Sequence, residues 1–422
     1  MTDLPDVPLS QLTVQKLSHR PLERVINAAC WVSKLLGLPP TRTDLESLLK
    51  RAKATTGLTD WGDERFIEPL QVVLDAMNTG EYCSMSSAFI NNVGWRAVAN
   101  RLRIEQRLKD HPEILDIPVK RPIFVLGFPR TGTTLLQNLL SLEHDRRGLQ
   151  FWELTRPLPE HPDPEVDRNK RIRACQWEID FATRLVPEMH DVHYIDATTV
   201  EECWPLFTST MSVMNFDLSH GIQKYGDWLL EQDVEWAYRE YKRMLQILLH
   251  RNPARQLVLK CPEHLWFVDK LLKVFPDACI VWTHRNPFDC VSSYSSMITL
   301  SRRTLMGKVD PLVIGDHITR RFHAGVTRAA AALEDADPAR FFHADFFETV
   351  GDPKAMVSRI EEHFGLDRTS EGAMQTWLDT PRQDGRGKHV YSAARYGLER
   401  KPILAKFADY IERFDVKLEK PA

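Results

Sequence analysis

The chain has 422 residues, of which 43% are hydrophobic and 27% are charged, and its formal net charge is −3. This composition excludes a largely disordered or fibrous chain, and the slight acidic surplus argues against a dedicated nucleic-acid binder. No apolar run reaches the ~18 residues of a membrane span, and the first residues carry no secretory signal pattern. The seven cysteines are scattered and contain no CxxC pair. We therefore expect a cytoplasmic protein with reduced thiols and no nucleic-acid partner.

Residues 1–119 are predicted to form an N-terminal helical region. Thr43 begins a Ser/Thr-x-x-Glu capping box, which is typical of a helix start. Amphipathic stretches follow at residues 67–77 and 86–110, and the second of these stops before Pro112. Nothing in the region gathers reactive side chains. We therefore expect it to be a helical cover or the surface of a homodimer.

Residues 120–422 are predicted to form an α/β domain. Its strand candidates are four short apolar runs, at residues 123–126, 257–259, 279–282 and 341–343. Each run but the last is followed by a helical stretch. Strands that alternate with helices indicate a parallel sheet with helices on both faces. A proline-rich loop opens a further helical insertion at about residues 155–250, which is rich in Trp, Met and His.

The strongest local signal is the segment 127–134, which reads Gly-Phe-Pro-Arg-Thr-Gly-Thr-Thr between a strand and a helix. Two glycines five residues apart let backbone N–H groups turn inward around an anion, and the following helix adds its positive end. This is the context that a phosphate-binding loop needs. The Lys position of the Walker A form is occupied by Thr133, whereas a cation, Arg130, lies inside the loop.

A second segment follows the strand candidate at 279–282. Arg285 lies at the carboxyl end of that strand, where open α/β sheets bind ligands. Ser293 lies about two turns down the next helix, on the face near Arg285. An Arg and a hydroxyl can hold one phosphate group together. An ion pair between Arg285 and Asp289 is the alternative interpretation.

These two segments, with Lys260-Cys261-Pro262-Glu263-His264 between them, resemble the sulfotransferases that use 3′-phosphoadenosine 5′-phosphosulfate (PAPS). The resemblance covers roughly residues 120–415 and implies a P-loop α/β sheet. In that family the phosphate loop cradles the 5′-phosphosulfate, and the residues that fall on it are Arg130, Thr131, Gly132, Thr133 and Thr134. The family's second motif grips the 3′-phosphate, and its Arg and Ser match Arg285 and Ser293.

The C-terminal part of the chain also resembles this family, although less closely. Many relatives close a basic, glycine-containing loop over the nucleotide. The segment 385–391 is short and basic, so Arg386 and Lys388 are candidates for that contact. The fuller Arg-Lys-Gly-x-x-Gly run of the eukaryotic cytosolic relatives is absent. A solvated linker before the last helix is the alternative.

Sulfuryl transfer to a hydroxyl needs cations near the leaving phosphate and a base for the acceptor proton. Arg130 and Lys260 are the candidate cations. His264 is the first candidate for the base, because an imidazole suits proton transfer at neutral pH. Relatives carry Lys-x-His there, whereas this chain has a spacing that is two residues longer. The adjacent carboxylates Glu201 and Glu202 are therefore kept as rivals.

Two histidines, His190 and His193, are expected to line the acceptor pocket or to lie in a loop. They have no third ligand at a suitable spacing, so we expect no metal. If part of the apolar run that begins at Trp204 lines the cleft, the acceptor is partly apolar. The sequence thus predicts transfer of a sulfuryl group from PAPS to a small, partly apolar hydroxyl acceptor, with PAP as the product. The alternatives are a P-loop kinase that uses ATP and a non-catalytic nucleotide-binding scaffold.

Overall fold

The sheet lies at the centre of the fold. The computed structural model describes residues 16–38, 41–79, 82–380 and 390–420. Within these ranges five strands form one sheet in the order β2–β3–β1–β4–β5, and every neighbouring pair is parallel. The strands are β1 (Ile123–Gly127), β2 (Arg146–Gly148), β3 (Gln256–Lys260), β4 (Cys279–His284) and β5 (Phe341–Asp345). Because the strands are parallel, their carboxyl ends all meet at one edge of the sheet.

Helices account for most of the other regular structure. Before the sheet come α1 (Pro21–Leu35), α2 (Leu45–Thr56), α3 (Ile67–Thr79) and α4 (Ser84–Asp110). Between β1 and β3 come α5 (Thr133–Leu140), α6 (Phe151–Thr155), α7 (Pro164–Leu185), α8 (Glu188–Val192), α9 (Asn215–Leu218), α10 (Gln223–Leu230) and α11 (Glu235–Arg251). The later helices are α12 (Val268–Val274), α13 (Pro287–Met306), α14 (Pro311–Ala332), α15 (Phe346–Gly351), α16 (Pro353–Phe364), α17 (Glu371–Asp379), α18 (Arg400–Lys406) and α19 (Ala408–Arg413). None of the described helices combines the length and the apolar character that crossing a bilayer requires.

Successive strand residues point to opposite faces of the sheet, and each face packs on its own helices. On one face Val125 and Val281 contact apolar residues of α5 and α16. On the other face Phe124 and Trp282 join a larger core that extends into α4, α11 and α14. Both faces are therefore covered, which explains why all five residues of β1 are buried.

The expected α/β fold with a parallel sheet and flanking helices is confirmed. Within the described residues the helices α1 to α4 end at Asp110, and β1 begins at Ile123. The helices α7 to α11 occupy the range predicted for the insertion. The division into an N-terminal region and a main domain stays a prediction.

Three local expectations were wrong. The edge strand β2 was not expected, because its three residues, Arg-Arg-Gly, carry no apolar pattern. A helix, α15, does follow the last strand, and its first N–H groups are capped by Asp345. The cap of α2 is Asp44, whose carboxylate accepts from the backbone of Ser47, one residue beyond the expected cap at Thr43.

Candidate active site

The loop between β1 and α5 has the backbone shape of an anion cradle. Three of its residues have positive φ angles, 144° at Gly127, 72° at Arg130 and 87° at Gly132. At Gly127 a side chain would collide with the next strand, since an added Cβ would lie 2.2 Å from Thr283 Oγ1. A non-glycine residue such as Arg130 adopts this backbone region only at a cost, and such strain is concentrated at functional sites.

Side-chain contacts with neighbouring elements hold the same loop in place. The hydroxyl oxygens of Thr131 and Thr283 lie 2.6 Å apart, and Thr131 also donates to the carbonyl of Phe128 at 2.6 Å. The ring of Phe128 stacks on Phe322 with centroids 4.6 Å apart. These contacts hold the loop before any ligand arrives. The first turn of α5, with buried Thr133 and exposed Thr134, therefore lies at the carboxyl edge of the sheet.

Arg285 follows β4 and contacts the loop directly. Its Nη1 donates to the carbonyl of Arg130 at 2.7 Å, and its guanidinium lies 4.1 Å from the centre of the Phe346 ring. The ion pair with Asp289 is loose, at 3.7 Å, and Arg285 Nε is buried without a partner. Ser293, eight residues further on in α13, is buried. Arg285 therefore joins the two segments that the sequence singled out, and it retains an unused donor.

Two cations face one another at this edge of the sheet. The pKa of Arg130 is lowered, first by the protein packed around it and second by repulsion from Arg285. Asp289, the nearest carboxyl, has a raised pKa because burial outweighs the attraction of Arg285 and Arg400. A polyanion bound between these guanidinium groups would relieve that repulsion. The cradle at Gly127, the start of α5 and the two arginines thus fit the two phosphate groups of a nucleotide such as PAPS.

A second group of charges lies at the end of β3. Lys260, almost fully buried, donates to Glu202 Oε1 at 3.0 Å, and Glu201 Oε2 lies 3.5 Å from His193 Nε2. The backbone holds the group in place, because the N–H of Cys203 donates to the carbonyl of Lys260 at 3.0 Å. The structure thus brings together the two rival carboxylates, Glu201 and Glu202, with the predicted pocket residue His193 and the candidate cation Lys260.

The pKa shifts show which of these charged groups stabilise one another. Burial would raise the pKa of Glu201, but His193 and Lys260 outweigh burial and lower that pKa to about 2. Burial would lower the pKa values of His193 and Lys260, but Glu201 and Glu202 outweigh it and raise both. Glu201 is therefore held as a carboxylate by His193 and Lys260. The Glu202 side chain keeps 27% of its surface exposed, so it is the carboxylate of the pair that a substrate can reach.

His264 lies in the core, which disagrees with its predicted role as the base. Its side chain is fully buried; Nδ1 lies 2.9 Å from the hydroxyl of Tyr238, and Nε2 lies 3.3 Å from the thiol of Cys203. The ring also meets Phe124 edge-on with centroids 5.2 Å apart. Both ring nitrogens therefore have partners within the core. The two extra residues between Lys260 and His264 form part of a 3-10 turn, Pro262–Trp266, and this turn carries the ring into the core.

Three predicted residues remain. His190 is exposed and packs edge-on against Tyr194, with ring centroids 5.1 Å apart. Arg386 and Lys388 lie outside the described residues. The described chain resumes at residue 390, and Tyr391 is close enough to Arg130 and Arg285 that they oppose the rise in its pKa caused by burial and Asp289.

Sequence reasoning missed Thr283 and Phe346 as parts of the site. Thr283 is a polar residue near the end of a buried strand beside the loop, which was a usable signal. Phe346 had no signal, because its contact with Arg285 depends on β5 lying next to β4.

A group of possible metal ligands lies elsewhere in the described part of the chain. The group lies where α4 and α11 end and consists of His111, Glu113 and His250. His250 comes six residues before β3 begins. This is the amino edge of the sheet, opposite the loop. Arg107 lies 3.3 Å from His250 Nδ1, and its positive charge disfavours a second cation there.

Comparison with known proteins finds similarity to sulfotransferases. A model of the sulfotransferase family matches residues 122–371, which include the loop, Lys260 and Arg285. The omega-hydroxy-beta-dihydromenaquinone-9 sulfotransferase Stf3 of Mycobacterium bovis is 25% identical over 260 residues, and this match spans 58% of the present chain and 63% of that protein. The chain thus matches less than two thirds of the length of this relative.

Two solved structures share the fold over most of their length. The sulfotransferase STF9 of Mycobacterium avium is 30% identical, with a TM-score of 0.80 over 90% of this chain and 99% of the other. The sulfotransferase STF1 of Mycobacterium tuberculosis H37Rv is 29% identical, with a TM-score of 0.76 over 88% and 99% of the two chains. Together with the family model, which matches more than half of the sequence, these similarities establish that the chain belongs to the sulfotransferase family.

Proposed function

We propose that the chain transfers a sulfuryl group from PAPS to a hydroxyl of a small, partly apolar acceptor. One observation carries the proposal: three neighbouring strands end in complementary parts of one site. Strand β1 leads into the anion cradle, β4 leads to Arg285, and β3 ends in Lys260 paired with Glu202. Adjacent strands lie only ~4.8 Å apart, so these groups can act on one substrate.

In this proposal the donor is held by its two phosphate groups. The loop N–H groups, including that of Thr131, the start of α5 and the hydroxyls of Thr133 and Thr134 would bind the 5′-phosphosulfate. Arg285 and Ser293 would bind the 3′-phosphate, as the unpartnered Nε of Arg285 favours. Arg386 and Lys388 would close over the nucleotide. The proximity of Tyr391 to Arg130 and Arg285 supports this last contact.

We assign the acceptor proton to Glu202. The acceptor oxygen attacks sulfur in line, the bond between sulfur and the 5′-phosphate oxygen breaks, and PAP leaves. The proton passes to the Glu202 carboxylate, while Lys260 and Arg130 balance the charge on the sulfuryl and leaving groups. Glu201 and His193 act as positioning residues, since their mutual ion pair orients the segment that carries Glu202.

A metal is not needed in this mechanism. A terminal phosphoryl group carries more charge than a sulfuryl group, which is why P-loop kinases add Mg²⁺. Here Thr133 occupies the Walker A Lys position, and Arg130, Lys260 and the loop N–H groups supply the positive charge.

The acceptor is proposed to be apolar next to its hydroxyl. A small core cluster lies between α8 and α13, and Val192 in it comes directly before His193 in the chain. Val186, Val192 and Leu300 are buried there, whereas Met189 and Met297 are only partly buried and are the apolar side chains that an acceptor could touch. The Mycobacterium bovis relative is named for a hydroxylated menaquinone, which is a long apolar molecule with a terminal hydroxyl. A hydroxylated prenyl or quinone-type compound is therefore the first acceptor class to test.

A thermal-shift comparison of PAP, ATP and GTP tests the donor. Because a ligand that binds only the native state stabilises it, saturating PAP should raise the Tm, whereas ATP and GTP should raise it less. A rise with ATP alone would favour the kinase. A rise with PAP but no transfer to any hydroxylated acceptor would favour the non-catalytic scaffold.

A further inference from the structure

Helix α1 presents its polar side to the protein and its apolar side outward. The buried Glu23 accepts from Thr304 Oγ1 at 2.8 Å and pairs with Arg303 at 3.3 Å, and Asn27 accepts from the backbone of Met85 at 2.9 Å. The large apolar side chains of this segment are instead exposed: Leu22 (49%), Val25 (66%), Trp31 (57%), Val32 (47%), Leu35 (71%), Leu36 (65%) and Leu38 (44%).

This orientation is the reverse of the usual one. A surface helix of a globular protein normally places its apolar stripe on the core and its polar residues in water. In α1 the contacts with the described part of the chain are made largely by polar groups. The apolar side therefore has no partner among the described residues, although it is the side that gains most from burial.

The spacing of the exposed residues identifies the kind of partner. Five small or apolar exposed residues follow one another in steps of three and four and form a stripe that we call the α1 seam: Leu22, Val25, Ala29, Val32 and Leu36. Such 3–4 spacing is the a and d pattern with which helices pair. A helix lying on a bilayer needs an apolar side but not a seam of this kind.

The charges around the seam permit pairing with an identical helix. In a helix pair the e and g positions flank the seam, and like charges there oppose self-association. In α1 these positions hold uncharged residues: Ile26, Ala28, Ser33 and Leu35. The exposed cations Arg24 and Lys34 occupy positions c and f, away from the seam. Two copies can therefore approach without charge repulsion.

We propose that the α1 seam packs against the α1 seam of a second copy, so that the protein is a homodimer through this helix. The exposed side chains of the α1 seam offer on the order of 400 Å², about half of the ~800 Å² that each partner gives to a standard interface, and the exposed Trp31, Leu35 and Leu38 beside the seam add to this area. When both partners use the same surface, the contact is isologous, as it is in two-fold dimers. The proposal is independent of the sulfotransferase function.

Sedimentation velocity over a concentration series tests the proposal with the full chain. Wild type should approach twice 48.8 kDa at high concentration. Val32→Glu should raise the dimer dissociation constant about tenfold or more, because it places a charge in the apolar seam. Val166→Glu is the matched control, since Val166 on α7 is 48% exposed and Val32 is 47% exposed. Both variants change exposed sites, so a far-UV circular dichroism spectrum like that of wild type should show that each is folded.

Two outcomes would overturn the proposal. One is a wild type that stays monomeric at every concentration. If that monomer also sediments with phosphatidylglycerol vesicles and Val32→Glu loses this binding, the α1 seam is assigned to a bilayer surface instead. The other is a dimer that Val32→Glu leaves as strong as in wild type, or that Val166→Glu weakens equally.

Discussion

Lys260 donates a 3.0 Å hydrogen bond to Glu202 at the point where β3 ends. Glu201, one residue earlier, is instead held by His193. Two adjacent carboxylates thus have different partners and different exposure. When two neighbouring titratable groups have different surroundings, each can take a different role in acid–base catalysis. This difference underlies the assignment of Glu202, rather than Glu201 or His264, as the base.

The first prediction tests the base. Glu202→Gln keeps the size of the side chain but removes the proton acceptor, so kcat should fall by about 10²–10⁴. The affinity for PAP should stay near that of wild type, because Glu202 has no role in our account of nucleotide binding. Steady-state transfer and PAP titration provide the two measurements. The control is His264→Gln, which retains hydrogen-bonding capacity at a buried site. If His264→Gln keeps its Tm yet loses turnover while Glu202→Gln stays active, the base is His264.

The second prediction concerns the 3′-phosphate. Arg285→Ala should weaken PAP binding strongly but should barely change the affinity for adenosine 5′-phosphosulfate, which lacks that group. Calorimetric titration of both nucleotides measures the difference. Arg359→Ala, which removes an exposed arginine of α16, should leave both affinities unchanged. Equal losses for both nucleotides in Arg285→Ala would mean that Arg285 supports the loop through Arg130 rather than the 3′-phosphate.

The third prediction concerns the cradle. Gly127→Ala should destabilise the fold by about 2–4 kcal/mol and abolish PAP binding, because its Cβ would lie 2.6 Å from the carbonyl oxygen of Thr283 as well as 2.2 Å from its hydroxyl. Gly351→Ala is the control, since an added Cβ at Gly351 meets nothing within 4 Å. Urea unfolding and PAP titration check both effects. Wild-type stability in Gly127→Ala would show that the loop does not need this close approach to β4.

The fourth prediction follows from the pKa of Glu201. A carboxyl whose pKa is lowered on folding stabilises the protein above its unfolded value of 4.5, and this stabilisation fades as the pH falls toward about 2. Wild type should therefore exceed Glu201→Gln in unfolding free energy by on the order of 2 kcal/mol near neutral pH. Urea unfolding at a series of pH values should show the gap narrowing below pH 4.5. A gap that does not change with pH would contradict the His193–Glu201 ion pair.

The sequence predicted the parts of the site that depend on local pattern. The loop from Gly127 to Gly132 is recognised from two glycines between a strand and a helix, and Arg285 is recognised from its position at the end of a strand. The position of His264 could not be predicted in this way. Two extra residues turn its ring into the core, and local spacing does not reveal the orientation of a 3-10 turn.

The pairings at the end of β3 also required the fold. Glu201 and Glu202 come nearly 60 residues before Lys260, and their different partners depend on the backbone contact between Cys203 and Lys260. Nothing in the sequence distinguishes two adjacent glutamates. The edge strand β2 was missed for a related reason, because a three-residue strand of Arg-Arg-Gly is recognised only by its pairing with β3.

Metal-free sulfuryl transfer is tested most directly by steady-state transfer of a labelled sulfuryl group from PAPS to a panel of hydroxylated prenyl, quinone and phenol acceptors, with and without excess EDTA. Transfer from PAPS should proceed at a rate that EDTA does not change, because Arg130, Lys260 and the loop N–H groups supply the positive charge. Transfer that EDTA abolishes and Mg²⁺ restores would contradict the metal-free mechanism. Transfer of phosphate from ATP, with none from PAPS, would contradict the proposed function itself.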